Sequence, residues 1–254
     1  MTDAIGSKAF ENGWKVEWGW SDWAESPRDG ELNLGHMLTW TRGFNSPDEN
    51  PWADPVDFVA DMLCERFTFA ELHDAVSAGR LGSLRFETGE DGEERLLAWY
   101  RSMITGRTGW DEVEDYSDYR DRETLARAIA ECAEAPGLLQ EKIVLKTVYM
   151  LEHSGVAYST GSFGDPWDSG AVGFIWADDD DVSSWFGGVP TSREKVSKRL
   201  DFEVERYSDW ANGEVYTVSL NDADGDVIEV VGGYIGDGDL ELGIAEMEAV
   251  ARAA

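Results

Sequence analysis

Lysine is scarce in this chain: six of 254 residues, within 21 Lys and Arg that face 52 Asp and Glu, for a formal charge of −31. So few cations disfavour nucleic acid, anionic lipid and phosphate-rich ligands as direct partners. Cysteine is nearly absent too. Cys64 and Cys132 stand alone without a CxxC and read as reduced core thiols of a cytosolic protein. The three histidines, His36, His73 and His153, are far apart and have no metal-ligand spacing, so neither metal nor cofactor is expected. There is no Walker A lysine loop and no GxGxxG before a helix, so nothing points to nucleotide binding. No apolar run reaches membrane-spanning length. The opening MTDAIGSKAFENG has neither a basic nor an apolar stretch, so no signal peptide and no membrane partner are expected. Internal repeats and Pro/Ser-rich linkers are also missing.

What is present is a foldable apolar fraction under a heavy load of carboxylate. Hydrophobic residues make up 42% of the chain and Trp contributes twelve, enough for a packed core. The length suits one large domain or two small ones. We read a single α+β domain over 1–254, with a strand and helical part over 1–135 and a sheet-rich part over 136–254. Acid is spread through every stretch and peaks over 201–254, where fourteen Asp and Glu meet two Arg. These acids sit among strand and helix signals, so they are not a detached acidic tail.

Periodicity supplies the elements. Trp14, Val16, Trp18 and Trp20 alternate with polar or small residues and predict a strand with one buried face; Gly35–Trp40 predicts another. Asp54-Pro55 starts a helix, and Thr68 with Glu71 forms a capping box for the next. Glu90–Met103 reads as a third helix, Trp110–Arg122 as an irregular acidic loop, and Glu123–Glu134 as a helix. Strands follow over Ile143–Leu151, Val156–Thr160 and Ala171–Trp176. Asp178–Asp181 caps a short helix ending near Gly187 and Gly188. Thr191 and Glu194 predict a capping box for a long helix with the stripe Val196, Leu200, Val204, Tyr207 and Ala211. Glu214–Leu220 and Val227–Tyr234 form a hairpin, and Leu240, Ile244, Met247 and Ala251 mark a closing helix. The fold class is α+β, a mostly antiparallel β-sheet with packed helices.

His153–Trp176 is the densest candidate site. His153 is a candidate general base, and Asp165 or Asp168 could orient it or bind a ligand beside Trp167. Equally, glycines and Asp side chains in this stretch suit a tight strand connection, with Ser154 in the turn and Trp167 plugging the core. Further candidate binding carboxylates are Asp178, Asp179, Asp180 and Asp181, Asp222, Asp224 and Asp226, and Asp237 and Asp239. The 221–226 run is not a calcium loop. With Gly225 at the glycine position, the first and last ligand positions fall on Leu220 and Val231.

The segments LEHSGVAYSTGSFGDPWDSGAVGFIW and ERYSDWANGEVYTVSL resemble a family of uncharacterised accessory proteins of tailed phages and prophages. A His-Ser-Gly turn, a Ser-Thr pair, a Trp-Asp-Ser-Gly turn and a Val-Gly-Phe-Ile strand recur there in this order, and a Gly-Glu-Val-Tyr strand follows a long helix. GELNLGHMLTW and VVGGYIGDG fit more loosely, and the acidic middle has no counterpart. Many members carry a Cys just before the Trp-Asp-Ser-Gly turn where this chain has Asp165-Pro166, which weakens a metal or thiol site. The resemblance implies a phage accessory protein in the host cytoplasm and carries no activity with it. Three readings follow. The chain could bind and inhibit a host nucleic-acid-binding or defence protein, as a DNA mimic. It could be a salt-adapted protein whose charge serves solubility. It could be an enzyme or small-ligand binder using His153, Asp165 and Asp168.

Overall fold

A computed structural model of the protein describes every residue except 1–3, 22–23, 31, 102, 104–105, 114–115, 117–119 and 154. The fold is α+β, 33% helix and 30% strand. Its contacts divide it into two compact units that are not consecutive in sequence: 1–48, 146–175 and 185–254 make one, and 49–145 with 176–184 make the other.

The first unit contains a sheet in the order β1 (Ala4–Ala9), β2 (Lys15–Trp20), β10 (Val215–Asn221), β11 (Val227–Ile235). All three pairings are antiparallel. Alternation in β2 puts Val16, Trp18 and Trp20 on one face, where Val16 is fully buried with Tyr216, Val218 and Leu220 of β10. Helix α7 (Gly236–Ala253) covers that face with Leu240, Met247 and Ala251. Trp20, at the strand end, stays 44% exposed and stacks on Tyr216 at 4.7 Å, so the Trp face is not buried throughout. The close fit of α7 to the sheet is local and steric: a Cβ on Gly243 would strike the Tyr234 ring.

A second sheet runs β3 (His36–Thr39), β9 (Ser169–Ala177), β7 (Val144–Glu152), β8 (Val156–Ser159). Gly173 of β9 lies so close to β3 that a Cβ there would strike the Leu38 carbonyl. Helix α6 (Arg193–Ala211) packs on β8 through Tyr207, whose ring lies 5.2 Å from Tyr158, and Ser208 Oγ accepts the Tyr158 N–H at 2.8 Å. The capping box predicted at Thr191 and Glu194 gives way to a simple N-cap one residue later. Ser192 is the N-cap, accepting from the Lys195 N–H, while the Thr191 hydroxyl donates to the Val189 carbonyl. Ser192 precedes Arg193 by the one residue that capping geometry requires; Thr191 is one position too early.

The second unit packs α1 (Pro55–Arg66), α2 (Phe69–Ser77), α3 (Arg122–Ala130) and α4 (Ala135–Leu139) around Phe58, Leu63, Leu72, Leu125 and Ile129. Asp54 caps α1, and both arms of the Thr68–Glu71 box are made. The helix expected over Glu90–Met103 is instead strand β5 (Glu94–Arg101), the centre of an antiparallel sheet between β4 (Leu84–Thr88) and β6 (Thr108–Glu112). Gly92, at φ +80°, closes the reversal in which the Gly89 N–H donates to the Glu93 carbonyl, and Leu96 then pairs with Phe86. Long-range pairing overrides the local helix preference of Glu, Leu and Ala. The predicted loop over Trp110–Arg122 begins as β6 and buries Tyr116; its remaining acidic stretch falls partly outside the described residues. Helix α5 (Asp179–Trp185) starts at the four-Asp run. No helix among the described residues is long and apolar enough to cross a membrane.

Candidate functional site

The structure brings His153 and Asp168 together. β7 ends just before His153 and β9 begins just after Asp168, and these strands are neighbours in their sheet. His153 Nδ1 lies 3.0 Å from Asp168 Oδ2. The pair faces solvent, the histidine side chain being 78% exposed. Asp165 does not join it. Its Oδ1 accepts the N–H groups of Trp167, at 2.8 Å, and Asp168, at 3.1 Å, closing the turn. Those backbone donors lower the Asp165 pKa and fix it as a carboxylate. Trp167 is 91% exposed, so it does not plug the core. Such a dyad can exchange a proton with solvent, but neither partner is shielded from water in the way that strengthens general-base catalysis. Ser154 lies outside the described residues.

The other predicted carboxylates fall into two kinds. Asp178 and Asp181 hold the α5 start reciprocally: Asp178 Oδ1 accepts from the Asp180 and Asp181 N–H groups, and Asp181 Oδ2 accepts from the Asp178 N–H. Asp178 also pairs with Arg66 at 3.1 Å, while Asp179 and Asp180 point to solvent. Asp222 likewise builds the β10–β11 turn, accepting from the N–H groups of Asp224 and Asp226 at 3.0 and 2.9 Å. Asp224 and Asp226 are exposed. At the start of α7, Asp239 pairs with Arg206 and Asp237 accepts from the Tyr216 hydroxyl at 3.4 Å. No cluster of three or more metal-ligating side chains occurs among the described residues. Both cysteines are free, and burial raises the thiol pKa of each.

Three further features stand out in the structure; of these, only the acidity of the C-terminal region was singled out from the sequence. The first is a buried ionic hub in the first unit. Arg28 donates through Nε to Asp48 at 2.9 Å, through Nη1 to Glu203 at 3.1 Å and through Nη2 to the Gly35 carbonyl at 2.6 Å. Glu203 also accepts the Leu34 and Gly35 N–H groups, at 2.7 and 3.0 Å, and Arg199 Nε at 2.9 Å. With four donors on its two oxygens, the carboxylate is saturated and serves structure rather than proton transfer. A readable signal existed, since Glu203 falls on the α6 stripe between Leu200 and Tyr207. A cavity of about 500 Å³ opens beside it, lined by Ser26, Asn33, Arg199, Phe202 and Arg206 among others.

The second feature is a run without cations. Residues 207–251 contain eleven Asp and Glu and no Lys or Arg. Lys8 and Arg252 reach in to Glu248, and Arg206 to Asp239. Asp224, Asp226, Glu229, Glu241 and Glu246 are exposed without an ion pair among the described residues. Crowding and burial push Asp209, facing the α7 start, up to about 6; burial is the largest cause, followed by Glu214, Glu205, Asp237 and Asp239.

The third feature is β11 itself, an edge strand that leaves Val227, Ile228 and Val230 more than half exposed, at 58%, 52% and 52%.

The chain matches no family model, no curated protein and no solved structure.

Proposed function

We propose that this is a phage-type acidic accessory protein that binds and modulates a basic host protein in the host cytoplasm. The cation-free run over 207–251 carries this reading. Its exposed carboxylates lie on a hairpin and a helix held against one core, a fixed array suited to the basic groove of a nucleic-acid-binding or defence protein. In that role the array acts as a DNA mimic, competing for a surface shaped to attract phosphates. The resemblance of the Gly-rich segment to phage accessory proteins agrees with it.

A capture experiment from bacterial lysate tests the reading, using the wild type and a variant with Asp224→Asn, Asp226→Asn and Glu229→Gln. The expected result is a nucleic-acid-binding protein retained by the wild type at low salt, released at high salt and not retained by the variant. Capture of no protein by either, or of the same protein equally by both, would contradict it.

Salt adaptation is the second reading, favoured by the even division of charge. The first unit holds 26 acids against 11 bases, net −15, and the second 26 against 10, net −16. It predicts stability that climbs steeply with molar potassium chloride and no captured partner. Catalysis or small-ligand binding through His153, Asp165 and Asp168 has less support, because the dyad is open to water and Asp165 is occupied by its turn.

A further inference from the structure

Edge strands in soluble proteins are ordinarily blunted by Lys, Pro, a bulge or a covering element, because their outward N–H and C=O groups invite another strand. The two edges of the first sheet differ in this respect. β1 carries Lys8 and a register shift between Ala4 and Gly6, beside an exposed Ile5. β11 has neither Lys nor Pro, and its pairing with β10 is continuous from Glu229 to Gly232. Register shifts at Ile228 and at Gly233 bound that stretch. No main-chain bond to a strand other than β10 is made by 228–232 among the described residues.

Register divides the side chains of this stretch. Glu229 sits opposite Leu220 and Val231 opposite Val218, on the face covered by α7; Val231 packs against the core there. Val230, opposite Ser219, and Val227, opposite Asn221, therefore point to the reverse face. The α7 face carries carboxylates beside β11: Glu229 lies on the strand itself, and burial first, then Glu246, Glu229 and Asp239, raise the pKa of Tyr234. A strand added to this edge would meet apolar side chains on one face and carboxylates on the other. Cross-strand pairing then sets its composition, with apolar residues at every second position and Lys or Arg between them.

We infer that β11 is a strand-addition site for an extended segment of the partner in which apolar and basic residues alternate. This rests on the reading of a basic partner and specifies how that partner is held. A second copy of this chain does not fit, because two β11 edges would bring Glu229 towards its own image between molecules of charge −31 each.

The test uses the full chain and a labelled seven-residue peptide of alternating Lys and Val as probe. A control peptide of the same sequence is N-methylated on alternate residues, so that it keeps its charge but cannot pair along one edge. Fluorescence anisotropy at low salt should give binding of the first peptide and at least about a tenfold weaker affinity for the methylated one. Val227→Ser with Val230→Ser, both at exposed positions, should weaken the first peptide by about tenfold while thermal melting stays unchanged. Equal binding of the two peptides would overturn strand addition and leave the basic-partner reading standing. No binding of either would overturn the inference as well, and lysate capture would then decide the reading on its own.

Discussion

The Arg28 hub and the β10–β11–α7 region use the same chemical groups in opposite ways. In the hub, Asp48 and Glu203 are matched to one guanidinium, to Arg199 and to backbone N–H groups, and Glu203 is only 2% exposed. In 207–251, eleven carboxylates meet three cations among the described residues, all from outside the run. Carboxylates of the first kind are bound into the fold. Those of the second kind repel one another across the surface, and a complementary partner would relieve that repulsion. A net charge says nothing about which kind prevails; the donor list around each oxygen does.

The largest expected effect lies in the hub. Arg28→Met takes the shared cation from buried Glu203, which keeps Arg199 and two N–H donors, and from half-buried Asp48, and should cost about 3 kcal/mol in urea unfolding. A cost below about 1 kcal/mol would mean that water already shields the pair. Gly236→Ala tests the boundary of the acidic region. Gly236 has φ +74°, and a Cβ would strike the Asp209 carboxylate, so a loss of about 2–3 kcal/mol is expected by the same assay.

Asp209 itself gives a smaller effect with a definite sign. Its carboxyl titrates near 6 in the fold against an ordinary 3.8, so the folded state binds the proton more tightly than the unfolded chain. Below about pH 4 both states are protonated and nothing is lost; stability falls as pH rises from there to about 6, and the cost persists above. Asp209→Asn should therefore stabilise by about 1 kcal/mol at pH 8, a value discounted for partial wetting, and by nothing at pH 4. Thermal melts at the two pH values check this; equal shifts at both would contradict the crowded-carboxylate account. The smallest effect belongs to His153→Ala, which should change stability by less than about 0.5 kcal/mol because the Asp168 contact is exposed.

Much of the fold was legible in local signals. Asp54-Pro55, the Thr68–Glu71 box and the long α6 stripe each mark an element the structure contains. The β10–β11 hairpin was legible from its polar turn, and Asp222 shows why, since its side chain replaces missing main-chain bonds. β5 was not legible, because Glu94–Arg101 is rich in helix formers and becomes a strand only through its partners 84–88 and 108–112. At the candidate site, sequence proximity grouped His153 with Asp165 or Asp168, whereas geometry pairs it with Asp168 and gives Asp165 to a turn. The hub was illegible for a related reason: Arg28, Asp48 and Glu203 come from distant positions, and only Glu203 on an apolar stripe hinted at a buried charge. The exposure of β11 depends on sheet order, which alternation alone does not reveal.

The central claim is that the surface of 207–251, rather than the total charge, attracts a basic partner. Two variants of equal charge test it most directly: Asp224→Asn, Asp226→Asn and Glu229→Gln in the hairpin, against Glu65→Gln, Asp179→Asn and Asp180→Asn in the second unit. The measurement is the affinity of the alternating Lys/Val peptide at low salt. The account predicts about a tenfold loss for the hairpin variant and less than about a twofold loss for the other. Equal losses for the two would contradict it.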